Sequence, residues 1–526
     1  TVLVKDIYTG VSSGGPTVML VTDTNFYFIG TDEFAGDQVF KSDGTTAGTV
    51  PLQGSDAYFN PDDIIKLNNA IYFTASSASS GNELWKTDGT AAGTVQVKDI
   101  VTGSGSSSPS RLTNVNNTLF FTATTSGQVG LFKTDGTGPG TVALNNTVVS
   151  GGTYNTFYGY DSKLYFMYNG YKPGIPITAT GIEPWVSDGT NAGTTLIKDI
   201  NTTSNAANPG PYVKAGNTIF FAANNNTNGI ELWKTDGTEA GTVLLKDIVP
   251  GSSSSSPANL TNVNGTIFFT ASSTGFGIEL WKTDGTEAGT VLVKDIYTGA
   301  SSSSPTLLTA SGNLLYFVAT DGTTGNELWK SDGTAAGTVL VADIVAGINS
   351  PTIQTPVNVN GTLLFTAQVT GLGREIWRSD GTTAGTVLVK DIVVGTGSPS
   401  ISSMTVYNGK AYFNANDGVN GQELWVSDGT EAGTQLFMNI HPTGNGNPMN
   451  LKVANNFLYF TANSPGTVFE PWVSDGTPGG TYMITEIVPG GSGGGGFGFV
   501  YMNGYVYFDA NGPLGHELWR TDNTAA

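Results

Sequence analysis

The sequence predicts an all-β fold, a β-propeller built from eleven four-stranded antiparallel blades. Three observations predict it. An Asp-Gly-Thr motif recurs along all 526 residues at a nearly fixed period. Each period holds four short apolar runs separated by Gly, Asn, Asp and Ser turn signals. The chain opens on the fourth strand of a unit and stops after a third, so residues 1–7 would complete the last blade.

The aspartates of the motif are Asp43, Asp88, Asp135, Asp188, Asp236, Asp284, Asp332, Asp380, Asp428, Asp475 and, in a degraded "DNT", Asp522. Their spacings are 45, 47, 53, 48, 48, 48, 48, 48, 47 and 47 residues. Self-similarity at this period is the mark of a repeat architecture, whereas a single core stops growing near roughly 250 to 300 residues. One clean unit, "PTLLTASGNLLYFVATDGTTGNELWKSDGTAAGTVLVADI", divides into strands "TLLTAS", "LLYFVAT", "NELWKS" and "GTVLVADI". The first hairpin turns on Asn-Gly at Asn264-Gly265, Asn360-Gly361 and Asn408-Gly409, the dipeptide a type I′ turn requires. A Ser-rich stretch such as "VPGSSSSSPAN" crosses to the next unit. A lone blade leaves both faces bare, so blades must stack on one another. Residues 1–526 are read as one repeat domain; two smaller propellers, an open array or a window cut from a longer array fit the same period.

Tryptophan occupies one repeat position throughout: Trp85, Trp185, Trp233, Trp281, Trp329, Trp377, Trp425, Trp472 and Trp519, with Phe40 and Phe132 in the other two units. A residue needed once for chemistry is not copied nine times, so these rings are assigned to inter-blade packing. The motif aspartates, among them Asp88, Asp236, Asp284, Asp332, Asp380 and Asp428, precede glycine after the third strand, where an Asx side chain holds a tight turn. They resemble the Asp-box turns of other propellers, with a different spacing. Calcium is the alternative at these loops, because they offer carboxylate, hydroxyl and carbonyl oxygens. No other cofactor is indicated.

Nine units carry a glutamate two residues before the aromatic: Glu83, Glu183, Glu231, Glu279, Glu327, Glu375, Glu423, Glu470 and Glu517. Strand alternation buries it beside the tryptophan, so it needs a partner. The fourth-strand lysines Lys5, Lys98, Lys198, Lys246, Lys294 and Lys390 are candidates, as are backbone amides; a ring of weak ion sites is the functional alternative. With the "KDI"-type aspartates, these repeat positions account for 27 of the 42 acidic residues. The net charge of −20 is therefore written into the repeat, and it excludes a nucleic-acid partner, which needs clustered Lys and Arg. No apolar run is long enough to span a membrane as a helix. Zero cysteines exclude disulfides and thiolate metal sites, and the abrupt start reads as a mature or excised segment.

Function on a repeat scaffold is sought where one copy differs. The largest departure falls between Asp135 and Asp188, where the loop from Phe166 to Trp185 gains about seven residues over its counterpart between Phe317 and Trp329. The same unit carries Tyr154, Tyr158 and Tyr160 at even spacing, which predicts one strand face, and Tyr168 and Tyr171 at the loop. These five are the candidate ligand-binding residues, since tyrosine faces stack on sugars or protein partners; packing around an irregular blade is the alternative. The two histidines, His441 and His516, stand in separate units, and no Ser-His-Asp, HExxH or GxSxG pattern is present. No catalytic residue is assigned, and the chain is read as a non-enzyme. A glycoside-cleaving carboxylate pair is the rival, though no unique pair stands out.

The repeated "ELWKTDGT", "ELWKSDGT" and "ELWVSDGT" resemble the ELWxxDGT-repeat proteins, exported bacterial proteins that commonly use the type IX secretion route. The resemblance covers essentially the whole chain. It implies a secreted or cell-surface protein, an adhesin or part of a surface filament, in organisms that include gliding species. The implied partners are an extracellular glycan or surface protein, further copies of the chain, or neighbouring domains of a longer one. The resemblance carries over no catalytic residues. "DQVFKSDGT", "VGLFKTDGT" and the final "DNT" depart from the motif.

Overall fold

The computed structural model describes residues 1–9, 12–33, 36–52, 58–144, 153–169, 181–203, 205–489 and 494–523. Among them there is no helix, and 44 strands form eleven four-stranded sheets, the β-propeller blades expected from the sequence. Ten blades use consecutive strands and are numbered here from the N-terminus. Blade 11 is built from Phe497–Met502, Tyr505–Gly512 and Gly515–Thr521, and its fourth strand is Val2–Lys5 from the start of the chain. Leu3 pairs with Trp519, so the two ends are tied by a backbone ladder.

Blade 7 shows why the sequence folds this way. Its strands are Thr306–Ser311, Leu314–Ala319, Glu327–Ser331 and Val339–Ala342, close to the four apolar runs. The Asn-Gly hairpins adopt positive φ at both residues, 49° and 93° at Asn264-Gly265, as a type I′ turn demands. In blades 3, 6, 7 and 10 the first strand carries a bulge whose extra residue is left-handed: Arg111, Asn259, Leu307 and Asn450 have φ between 53° and 59°.

The residues fall into two compact units. One comprises residues 1–79, 85–96 and 352–526, the other residues 80–84 and 97–351. Within each, the aromatic of one blade packs against the blade before it. Trp185 of blade 4 joins Val115, Phe120 and Leu131 of blade 3, and Trp85 of blade 2 joins Tyr27, Val39 and Leu52 of blade 1. Eight of the nine tryptophans are buried, as are Phe40 and Phe132 in the equivalent place; Trp519 is half-buried. Burying one such side chain contributes about 1.5–3 kcal/mol, which makes this repeat position a principal source of cohesion between blades.

Candidate functional site

Most of the repeated polar residues are consumed by the scaffold. In the motif turn, Asp284 Oδ1 accepts hydrogen bonds from the Thr286 backbone N–H (2.8 Å) and hydroxyl (2.7 Å), and the Thr286 oxygen accepts from Gly289 N–H (2.9 Å). Thr283 and Thr290 hydroxyls lie 2.8 Å apart and close the loop. The same network recurs from Asp43 to Asp475, and hydrogen bonds from Thr286 hold the Asp284 carboxyl below its ordinary range. Among the described residues, no three His, Asp or Glu side chains converge to hold a metal.

The buried glutamates pin the crossover between blades. Glu279 accepts from the backbone N–H of Ile296 (3.0 Å), Tyr297 (3.4 Å) and Ser303 (2.8 Å), and from the Ser303 hydroxyl (2.5 Å). Its partners are thus amides and a hydroxyl, not lysine. Lys294 instead donates to the Thr338 carbonyl of the next blade (2.8 Å), as Lys246 does to Thr290 (2.8 Å) and Lys5 to Thr49 (2.7 Å). Burial pushes every one of these carboxyls up against the pull of its amide donors. Where a serine hydroxyl assists, at Glu83, Glu231 and Glu279, the rise is contained. Ala207, Pro351 and Pro399 replace that serine opposite Glu183, Glu327 and Glu375, which rise to about 8, 7 and 8.

Blade 4 departs from this regularity. A bulge between Asn155 and Tyr158, with Thr156 at φ 45°, reverses the alternation within strand Tyr154–Tyr160. The tyrosines therefore do not share one face. Tyr154 is buried against Tyr168 (ring centroids 4.2 Å apart) on the blade 3 side, where its hydroxyl accepts the Leu131 N–H (3.0 Å). Tyr168 is buried edge-on to Trp185. Tyr158 and Tyr160 turn towards blade 5 and remain half-buried, Tyr158 against Tyr212 and Tyr160 beneath the Lys214 ammonium, 4.0 Å from its ring centroid. Tyr171 lies outside the described residues. Tyr154 and Tyr168 thus belong to the core, and only Tyr158 and Tyr160 retain exposed ring surface.

The same bulge opens a cavity of about 560 Å³ lined by Arg111, Asn155, Thr156, Met167, Ile182 and the segment 208–211. Arg111 and Thr156 are the left-handed bulge residues of blades 3 and 4. In blade 6 the next such place belongs to Asn259, but in blade 5 it falls to Pro211, whose ring cannot take a positive φ. The first strand of blade 5 is accordingly cut to Val213–Ala215, and Gly210 at φ 130° leaves space in front of Met167. The side chains of Arg111, Asn155, Thr156 and Asn208 make no hydrogen bond or ion pair with a described residue. Sequence reasoning passed over these four; the signal was "NPGPY", which puts Pro211 where "SPSR", "SPAN" and "SPTL" have Arg111, Asn259 and Leu307.

The fold and site define a β-propeller whose repeat residues hold the blades and whose irregular blade carries an open polar cavity. No protein-family model matches the chain, and no curated protein does. Among solved structures it is similar to puromycin hydrolase, at 13% identity and a TM-score of 0.29 over 69% of this chain and 59% of that one. It is similar to a prolyl endopeptidase at 11% identity and a TM-score of 0.32, over 63% of this chain and 49% of that one. The β-propeller domain of the Trilobed protease from Pyrococcus furiosus, described as having an open velcro topology, gives 11% identity and a TM-score of 0.26, over 60% and 95% of the two chains. This chain spans about three fifths or less of the length of the two peptidases. Likenesses this distant carry no statement about activity.

Proposed function

We propose that this protein is a non-enzymatic extracellular binding and scaffold module, a bacterial surface adhesin that contacts glycan or protein through its irregular blade. One observation carries the reading: the motif Asp and Thr, the Glu and most fourth-strand Lys of the repeat are engaged within the fold, while four polar side chains around the blade 4 cavity have no hydrogen-bond or ion-pair partner among the described residues. An opening of this kind suits recognition, because pockets of a few hundred Å³ with a small number of placed polar groups are where ligands settle. The surface location and the adhesive role draw support from the resemblance to the ELWxxDGT-repeat proteins.

A glycan-array assay on the purified chain tests it, with bound glycans recovered and weighed by mass spectrometry. Selective binding of intact glycans is the expected result. Cleaved glycans would replace the module with a polysaccharide-acting enzyme. Silence on the array, together with chains that assemble into filaments in the electron microscope, would replace it with a structural subunit.

A further inference from the structure

We infer that the blade 4 cavity recognises a glycan terminus bearing a single carboxylate, a uronic or sialic acid type of sugar, with Arg111 as the carboxylate-binding residue. The inference rests on the binding role proposed above and deepens it.

Arg111 is the one charged group among the described residues that line the cavity. Its guanidinium is exposed, has no carboxylate partner among the described residues, and stands on a bulge whose left-handed backbone fixes where the side chain starts. A planar guanidinium matches a carboxylate with two parallel hydrogen bonds, which gives geometry as well as attraction. Around it Asn155, Thr156 and Asn208 offer donors and acceptors suited to sugar hydroxyls, and Met167, Ile182, Pro209 and Pro211 offer apolar surface to the C–H face of a pyranose ring. A cavity of about 560 Å³ has room for one or two sugar rings.

The rest of the chain narrows the class further. A net charge of −20 repels a polyanion as a whole, so a uniformly charged polysaccharide would meet a rising penalty with each added residue. An isolated acidic terminus on a neutral chain pays that penalty once and meets Arg111 directly. A peptide carboxyl terminus offers the same anion but not the ring of hydroxyls that the amides and Thr156 face.

The test compares wild type with Arg111→Asn on matched glycans that differ only in a terminal carboxylate, such as sialylated and desialylated forms or uronate and hexose ends. Heparin-like polymers and peptides with free or amidated C-termini complete the set. Asn already occupies the same bulge at Asn259 and Asn450, so the variant keeps a residue suited to positive φ and its melting temperature should match wild type. Wild type should prefer the acidic terminus about tenfold or more, and Arg111→Asn should abolish that preference. Equal binding of acidic and neutral forms by wild type, or a preference that survives in Arg111→Asn, overturns the inference while the glycan-binding role stands. Preference for heparin-like polymers or for free peptide C-termini also overturns it. Failure to bind any glycan overturns the inference and leaves the proposed binding role with a protein partner alone.

Discussion

Asp236 and Gly241 are fitted to each other: a Cβ placed on Gly241 would lie 2.0 Å from the Asp236 Oδ1 oxygen. The same relation recurs between Asp284 and Gly289 and between Asp428 and Gly433, each at 2.0 Å. Glycine is thus required five residues after the motif aspartate because the carboxylate occupies its side-chain space, not because its φ is unusual. Gly241→Ala must displace that carboxylate and its hydrogen bonds from Thr238. The expected cost is about 1–3 kcal/mol, as for other overpacked sites. Urea unfolding should show a lower midpoint for Gly241→Ala, and an equal change for Asp236→Ala would leave little extra for the double variant.

The aromatic position should tolerate a change of ring better than a loss of one. Phe40 and Phe132 already fill it in blades 1 and 3, both buried. Trp233→Phe is therefore expected to cost less than about 1.5 kcal/mol, and Trp233→Ala about 3–5 kcal/mol, because the gap between blades 4 and 5 would be left as a cavity. Denaturation monitored by circular dichroism separates the two; similar losses would mean that indole-specific contacts, not ring volume, hold the blade.

Much of this was legible in the sequence because the repeat averages out local ambiguity. Asn264-Gly265 announces its turn, the recurring Glu-x-Trp spacing marks a buried strand face, and Val2–Lys5 was readable as the missing strand of blade 11. What was not legible depends on bulges. Tyr154 and Tyr160 are six residues apart, which alternation places on one face, yet the extra residue at Thr156 sends them to opposite neighbours. Backbone amides were among the candidate partners of Glu279, but which ones was hidden, since the donors sit 17 to 24 residues away in a Ser-rich crossover with no charge to mark it. The cavity arose from Pro211 standing where a left-handed residue belongs, an effect visible only once the bulge is known.

The motif loops should be insensitive to chelator. Oδ1 of Asp284 and the hydroxyl of Thr286 are already bonded to one another and to the backbone, so a bound calcium would have to break those bonds to use both oxygens. The melting temperature is expected to be the same in calcium and in excess chelator. A rise in calcium that saturates with concentration would instead place the ion in these turns, by the stabilisation that any ligand of the folded state brings.

The buried glutamates make stability depend on pH. Glu183 and Glu375 are pushed up to about 8, and Glu327, Glu470 and Glu517 to about 7, by burial. A folded value above the unfolded one means that the folded chain binds more protons between them. Their contribution to stability is therefore complete below the unfolded value near 4.5 and is lost as pH rises through 7 to 8. The motif aspartates act at the other end: their lowered values add stability above about 3.8 that disappears in stronger acid. Melting temperature should therefore peak in mild acid and fall towards pH 8. Ala207→Ser supplies the hydroxyl that Ser303 gives Glu279, which should lower the Glu183 value and flatten the alkaline limb. Ser303→Ala should steepen it by exposing Glu279 to the same burial without that donor. A melting temperature that rises steadily from pH 5 to pH 8 in all three proteins would mean that the amide donors outweigh burial at these carboxylates, and that the glutamates are held charged throughout.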